Sequence, residues 1–558
     1  MSTSRLKVAF LVGGDTQSTR ESIAAVCAVA GVEPVGILLD THQLPLKSRL
    51  RNLRRNIRRE GIGYIGKRLL GVVRDWLDGI ADRLVDQNEV EQLMRRAFPR
   101  EAFTLPELAD QIGCPLERVG NLNHSWAAER LRALGADLGV VLGTRVLKRS
   151  TFGVPPRGSI NLHKGEVPRF RGLPPAFWEL FEGVAEAGVT VHYVDEGLDT
   201  GAVIGAGRVK LHPRETWMSL RRKLDELGSA VLADTVARLL EGEVAGQPQP
   251  AGSWPTRTRP TAAQLREFEA RVPSDGADSD LRRILKTALH LGQFYTGIWW
   301  MLRHWRTGLT GRGGIILHHR VNSRSWDALT TQTRVLAEQL VVLKRYYQVV
   351  KTTELVRCIQ ERRKLPDGAV AIHFDDCYRD VYQCAAPLLK AADAPGTMFI
   401  ATGFIDTDRM FAHDEQKYAL RFENLRSEEV SRLARYGVEV GAHTVNHVDL
   451  GVIPAEQAHW ELAESKRRLE ELTGQEIRLF SFPFGKESNI RDQVRRMVRE
   501  GGFDALFSAH GGGVSKDSDP YDIHRFGCNS RYRAIDLMME LEGISLHHWA
   551  QKLLRLLK

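Results

Sequence analysis

The chain has 558 residues, 43% hydrophobic and 26% charged. That balance is ordinary for a globular protein, excludes a disordered chain, and at the usual domain size predicts about three or four domains. A net charge of +9 is compatible with nucleic acid, anionic lipid or a phosphorylated ligand. No zinc-finger or RNP-type string accompanies it, so no nucleic-acid partner is expected.

The six cysteines (Cys27, Cys114, Cys358, Cys377, Cys384 and Cys528) are scattered without a CxxC pair, which fits a reduced, cytoplasmic protein. The opening MSTSRLKVAFLVGG does not read as a signal peptide, and no run of about 20 uncharged apolar residues predicts a membrane span.

In chain order, residues 7–14 predict a buried strand ending at Gly13-Gly14, which reads as a tight turn rather than a phosphate loop. Residues 35–39 predict a second strand closing on Asp40. Residues 44–105 then interrupt the pattern with Arg49, Arg51, Arg54, Arg55, Arg58 and Arg59 at helical spacing. They predict a solvated helical insertion, the alternative being a surface for anionic lipid or a diphosphate. Strands resume at 137–143, 158–163 and 188–194, and Pro- and Gly-containing sequence over 242–260 closes a first domain of residues 1–260.

Residues 261–312 read as a linker with an amphipathic helical segment. Within it, 281–306 is apolar and aromatic, with Trp299, Trp300 and Trp305 beside Arg282, Arg283, Arg303 and Arg306. A core or inter-domain helix is the plain expectation and an interfacial membrane helix the alternative. From residue 313, strands at 314–319, 370–374, 396–401, 438–442 and 479–482 alternate with helical patterns, predicting a barrel-like domain to residue 558. The fold class is α/β throughout: a Rossmann-like sheet, then a distorted (β/α) barrel.

Asn161 and His163, two apart on a strand, share a face. Asp195, Glu196, Gly197, Leu198 and Asp199 follow another strand in a glycine-punctuated loop. An amide donor, an imidazole and a carboxylate are thereby expected at the carboxyl edge of one sheet, where open α/β sheets bind ligands. Formyl transfer to an amine needs such a set: a donor for the developing oxyanion and an oriented acid/base. The strings SINLHKGEVPRFRGLPPAFWELFEG and GVTVHYVDEGLDTG resemble the folate-dependent formyltransferases that act on methionyl-tRNA or sugar nucleotides. The resemblance implies that Asn161, His163 and Asp199 are catalytic. It implies 10-formyltetrahydrofolate as donor, bound by Val140, Leu142, Gly143 and the loop Asp195, Glu196, Gly197 and Leu198. Lys164-Gly-Glu-Val-Pro168 departs from the family's Pro-Ser-Leu-Leu-Pro, on the acceptor side. No downstream barrel of the tRNA-acting kind is evident, which favours a sugar amine as acceptor.

The strand at 370–374 ends on Asp375-Asp376, adjacent carboxylates that call for a cation or a proton. His443 and His447, four apart, can lie on one helical face toward a metal, and one Asp with two His leaves positions open for water and substrate. FDD, HTVNH and RLFSFPFG together resemble the polysaccharide deacetylase (NodB-like carbohydrate esterase) superfamily. The opening Ile316-Leu-His-His-Arg-Val321 and Asp519-Pro-Tyr-Asp-Ile-His-Arg525 add to the likeness. The resemblance implies Asp375 as general base and Asp376, His443 and His447 as ligands of one divalent metal, zinc by the mixed N/O set. It implies that Arg478 orients Asp375 and that the backbone N–H of Phe484 meets the oxyanion. Cys377 stands where relatives have Gly. The general acid is unassigned, with His547-His548 and His524 as candidates.

Two such sites on one chain imply consecutive steps on an amino sugar, nucleotide- or lipid-linked: removal of an N-acetyl group, then N-formylation of the free amine. The rival expectations are a deformylase acting after a lipid-linked transfer, or one domain reduced to sugar binding.

Overall fold

The computed structural model describes residues 5–42, 51, 53–57, 63–242, 244–250, 252, 254–273, 280–305, 311–324, 327–417, 421–485 and 489–545. Arg49, Arg58, Arg59, Arg306, His547 and His548 lie outside the described residues. The chain divides into two compact units. One comprises residues 1–65 and 100–275, the other 66–99 and 276–558.

The first unit is built on a seven-stranded sheet. Its strands are β1 (Leu6–Val12), β2 (Val32–Asp40), β3 (Leu116–Val119), β4 (Leu138–Leu142), β5 (Ser159–His163), β6 (Glu186–Tyr193) and β7 (Val203–Lys210), in the order β3-β2-β1-β4-β5-β6-β7. Strands β1 to β5 pair in parallel, whereas β6 and β7 are antiparallel. The near-continuous apolar runs of β1 and β4 follow from burial on both faces of a parallel sheet. Phe10 and Val140 join one core cluster, Leu11 and Val141 the other. Each fully buried side chain of this size contributes roughly 1.5–3 kcal/mol. Gly13 sits against the Gly143 carbonyl, where a Cβ would lie 2.0 Å from the oxygen. Close strand-end packing therefore accounts for this glycine.

The second unit curls a parallel sheet. Its strands are β8 (Gly314–His318), β9 (Arg320–Val321), β10 (Thr330–Thr331), β11 (Gln348–Val349), β12 (Ala369–Phe374), β13 (Gly396–Ile400), β14 (Val438–Ala442), β15 (Leu479–Ser481), β16 (Ala505–Phe507) and β17 (Phe526–Gly527). The main order is β16-β15-β14-β13-β12-β8-β17, with β11 also on β12. Ile523 bridges Phe507 and β17 pairs with β8, so one segment links the two sheet edges and nearly closes the barrel.

The boundaries differ from those expected at two places. The helix Gln87–Ala97, within the expected insertion of the first domain, is capped by Asp86 and buries Val90, Leu93 and Met94. It packs on helices Thr333–Tyr346 and Ala386–Ala391 of the second unit. Helix Ala262–Arg271, expected in the linker, belongs to the first unit, where Phe268 stacks on Phe177 at 4.5 Å. An apolar stripe goes with whichever core buries it, whatever its place in the chain.

The segment 281–305 has two faces. Ile284, Leu291, Phe294 and Trp299 are buried, and His290 contacts Asp536 at 2.8 Å. Leu281, Leu285, Leu289, Tyr295, Trp300, Met301 and Trp305 are exposed. Helix Gly63–Asp82 likewise turns Leu69, Val72, Val73 and Trp76 outward. Asp78 pairs with both Arg283 and Arg533, joining this helix to the 280–295 helix and the region of Asp536. Among the described residues, no helix is long and apolar enough to cross a membrane.

Candidate functional sites

In the first unit, β5 presents Asn161 and His163. Asn161 Nδ2 lies 3.2 Å from His192 Nε2 and 3.5 Å from Asp199 Oδ1. His163 Nδ1 is 3.4 Å from Asp199 Oδ2, and its Nε2 donates to the Phe170 carbonyl at 2.8 Å. The three expected residues do converge. The route differs: antiparallel β6 brings Tyr193 level with Ile160, so the loop after it must fold back to deliver Asp199. Asp199 takes φ +56°, a strained left-handed conformation for a non-glycine residue. Gln249 Nε2 fastens this loop by donating to the carbonyls of Asp199 and Gly201 at 2.9 and 2.8 Å.

Burial pushes the His163 pKa down, and Asp199 and the Phe170 carbonyl only partly oppose the fall. Burial works against the Asp199 charge too, but His192 and His163 outweigh it and hold the carboxyl below its usual value. An imidazole kept available as a base beside a fixed carboxylate suits proton removal from an amine. His192 is a site residue missed from sequence. The signal was the register, which sets His192 opposite Asn161.

The expected donor residues divide by environment. Val140 and Leu142 are buried in the core, leaving the strand end at Gly143 (φ +64°) accessible. Asp195 shapes its own loop, accepting from the Gly197 amide at 3.1 Å and the Thr200 hydroxyl at 2.6 Å. A Cβ at Gly197 would lie 2.0 Å from Thr200 Oγ1, so this turn requires glycine. Glu196 and Leu198 are exposed on the loop.

In the second unit, strand ends β12 and β14 bring Asp376, His443 and His447 together, with one ligand atom of each within 4.8 Å of the others. Asp376 Oδ1 lies 3.5 Å from His443 Nε2 and 3.1 Å from His447 Nε2. His443 Nδ1 donates to the Ser481 carbonyl at 2.7 Å, which turns the Nε2 lone pair toward the carboxylate. Asp376 Oδ2 and His443 Nε2 are buried without a hydrogen-bond partner. Orphaned acceptors on a carboxylate and a carbonyl-anchored imidazole are what a divalent cation satisfies, so the residues present fit the metal.

Asp375 is held differently. Arg525, fully buried, forks onto it at 2.8 and 2.7 Å, and the Ser481 hydroxyl donates to it at 2.9 Å. Burial would raise this carboxyl, but Arg525 and His443 overturn the effect and hold it at about 2. Arg478 does not orient Asp375, contrary to expectation. It is half-exposed and pairs with Glu476 and Asp504. It precedes β15, whereas Ser481 and Phe484 lie at the opposite, carboxyl end. Phe484 sits beside His447 with ring centroids 4.9 Å apart and takes φ +65°.

Cys377 is buried, and burial pushes its thiol up. Asp376 rather than Cys377 takes the positive φ, at +80°, so the turn tolerates the missing glycine. Two imidazoles missed from sequence border the cluster. His319 is influenced by the charges of Asp376 and Asp375, and His413 Nε2 is 3.9 Å from Asp376 Oδ2. His319 stands in the His-His-Arg string already singled out; His413 lies on the short helix Ala412–Lys417, which carries no motif. His524 packs against His510 beside Asp522, with the ring centroids 4.3 Å apart and the planes tilted by 59°.

Comparison with known proteins matches the two clusters to two families. A formyl transferase family model matches residues 88–236, and a polysaccharide deacetylase family model matches residues 362–506. One chain thus carries a formyl transferase segment and a polysaccharide deacetylase segment. Methionyl-tRNA formyltransferase of Roseobacter denitrificans is 31% identical over 204 residues, covering 36% of this chain and 63% of that protein. The enzyme of the same name from Myxococcus xanthus is 38% identical over 146 residues, covering 26% and 47%. The chain therefore spans less than two thirds of the length of these relatives. Among solved structures, the Streptococcus pyogenes deacetylase PplD in complex with acetate aligns at 20% identity. It covers 41% of this chain and 98% of that one, with a TM-score of 0.36. Glycinamide ribonucleotide transformylase 1 from Symbiobacterium toebii aligns at 18% identity, covering 42% and 88%, with a TM-score of 0.29.

Proposed function

We propose that the protein exchanges the acyl group on an amino sugar: its second unit hydrolyses an N-acetyl group and its first unit formylates the amine released. The observation that carries this reading is that both clusters are assembled on one chain, Asn161–His163–Asp199 and Asp375–Asp376–His443–His447. The deacetylase segment is also what points the acceptor toward a sugar rather than tRNA.

In the second unit, Asp376, His443 and His447 would hold one divalent ion, zinc by their N/O set, which would polarise the amide carbonyl and lower the pKa of water. Asp375, ionised throughout neutral pH, takes the proton of the attacking water while Arg525 and Ser481 fix its geometry. The Phe484 N–H donates to the oxygen on which charge develops. In the first unit, 10-formyltetrahydrofolate would supply the formyl group at Gly143 and the Asp195–Leu198 loop. Asn161 donates to the formyl oxygen as charge builds, and His163, held by the Phe170 carbonyl through Nε2, removes the amine proton at Nδ1 beside the Asp199 carboxylate.

The acceptor is nucleotide- or lipid-linked, and the protein works in the cytoplasm on the inner membrane surface. The paired outward stripes, Leu69–Trp76 and Leu281–Trp305, with tryptophans beside arginines on a chain of net charge +9, favour contact with an anionic bilayer. That face also gives weight to a second reading, deformylation of a lipid-linked sugar by the same hydrolytic site.

Five incubations followed by mass spectrometry, the fifth offering wild type the N-formyl sugar, separate the two. Wild type with metal and formyl donor should convert the N-acetyl sugar to the N-formyl sugar; without donor it should stop at the free amine. Asp375→Asn should leave the N-acetyl sugar untouched yet formylate the free amine. Hydrolysis of the N-formyl sugar without hydrolysis of the N-acetyl one would replace exchange with deformylation.

A further inference from the structure

Away from the Asp376 cluster, the second unit assembles another set of metal-ligating side chains. His510, Asp522 and His524 each place one ligand atom within 4.8 Å of the other two. Asp522 Oδ1 lies 3.6 Å from His510 Nε2 and 3.9 Å from His524 Nε2, and the two rings are 4.3 Å apart. Arg495 occupies the other carboxylate oxygen at 2.6 Å. Oδ1 is buried and has no hydrogen-bond partner. A buried acceptor left so costs roughly 1–3 kcal/mol unless something satisfies it.

The imidazoles indicate what does. His510 Nδ1 lies 3.3 Å from the Gly485 carbonyl and must be the donor there. Its Nε2 lone pair therefore faces Asp522 Oδ1, acceptor against acceptor. His443 shows the same arrangement, with Nδ1 on a carbonyl and Nε2 turned to a carboxylate oxygen. A carbonyl-anchored imidazole facing a carboxylate is how proteins present neutral histidine to a metal. The backbone is shaped for the His524 ring: a Cβ on Gly512 would lie 2.4 Å from its Nδ1. Metal–ligand bonds of about 2.0–2.1 Å place tetrahedral donors about 3.3–3.5 Å apart, so the observed separations need only small movements to close.

We propose that His510, Asp522 and His524 form a second divalent-cation site, of the zinc class by its two nitrogens and one oxygen, with a structural role. Its place explains the role. His510 is tied to Gly485, the neighbour of Phe484, and Ala509 donates to the same carbonyl at 2.8 Å. Asp522 and His524 lie on the segment that delivers Arg525 to Asp375. An ion at this site braces the expected oxyanion loop and the arginine that holds the base. The side chains are 18%, 17% and 37% exposed, which leaves the ion a way in.

The inference does not depend on which sugar or acyl group the enzyme handles. Metal analysis of the purified full chain, equilibrated with zinc and then exchanged into metal-free buffer, tests it. Wild type should hold two ions per chain. His524→Ala and Asp522→Asn should each hold one, as should His447→Ala, and the double variant His447→Ala/His524→Ala none. A second measurement uses the His447→Ala background, in which zinc should still raise the melting temperature saturably, and adding His524→Ala should abolish that rise. One ion in wild type, two ions retained by His524→Ala, or no zinc-induced rise in the His447→Ala background would each overturn the proposal in favour of an imidazolium–carboxylate pair.

Discussion

Replacing Arg525 should damage both stability and hydrolysis, whereas replacing Arg478 should damage neither. Arg525 is fully buried and donates to Asp375 at 2.8 and 2.7 Å, to Ser481 Oγ at 2.8 Å and to the Ser508 carbonyl at 2.6 Å. Arg525→Ala leaves the Asp375 charge buried and uncompensated, a loss of roughly 3–5 kcal/mol. Part of that loss carries a pH signature. The carboxyl sits at about 2 in the fold against 3.8 as its ordinary value. It therefore contributes about 2 kcal/mol that is fully present above its unfolded pKa and is lost as pH falls toward 2. Without Arg525, burial loses its main opponent and the Asp375 pKa rises, so the acid limb of hydrolysis should move to higher pH and turnover should fall on the order of 10²-fold or more. Arg525→Lys restores a charge but not the two-pronged geometry, and should recover stability better than turnover. The pairs of Arg478 with Glu476 and Asp504 are substantially exposed and contribute little. Urea midpoints and pH profiles of deacetylation for the three variants provide the comparison. Equal loss of hydrolysis in Arg478→Ala, or an unmoved urea midpoint in Arg525→Ala, would refute the assignment.

His163→Ala should abolish formyl transfer and leave hydrolysis intact; unchanged formyl transfer would remove His163 from the mechanism. Glu179, buried in helix Phe177–Glu182, has its pKa pushed up to about 7 by burial, against an ordinary value of 4.5. The raised value means that its stabilising share is complete below 4.5 and is lost, by about 3 kcal/mol, as pH rises through 7. Glu179→Gln should flatten this slope in thermal melts between pH 5 and about 8, and an unchanged slope would exclude the effect. Flotation with anionic vesicles at low salt should recover wild type, and Trp76→Ser/Trp300→Ser should reduce recovery; absence of wild type from the vesicles would remove the membrane contact.

What could be read from the sequence was what depends on local pattern. The strand-end motif located Asp375 and Asp376 because a parallel strand buried on both faces shows as an apolar run with its chemistry where the run stops, whereas Asn161 and His163 were marked by their alternation onto one face of a strand. The two histidines four apart marked a ligand pair, but not by a shared helical face: they lie on the loop after β14, where Thr444 and His447 take positive φ. What failed depended on partners distant in the chain. Arg478 and Arg525 both adjoin strand residues, and nothing local distinguishes them. The distinction is which end of the barrel each reaches: Arg478 lies before β15, beside Asp504, while Arg525 crosses to Asp375, 150 residues away. His192 needed the antiparallel register of β6 on β5, and a single buried strand does not announce its direction. The helix Gln87–Ala97 shows the limit for domain boundaries. Its buried stripe of Val90, Leu93 and Met94 is legible as an amphipathic pattern, but the pattern specifies only that some core receives it. The receiving helices, Thr333–Tyr346 and Ala386–Ala391, lie more than 200 residues further along the chain. A stripe on an insertion therefore reports that burial occurs, and only the tertiary structure reports in which unit.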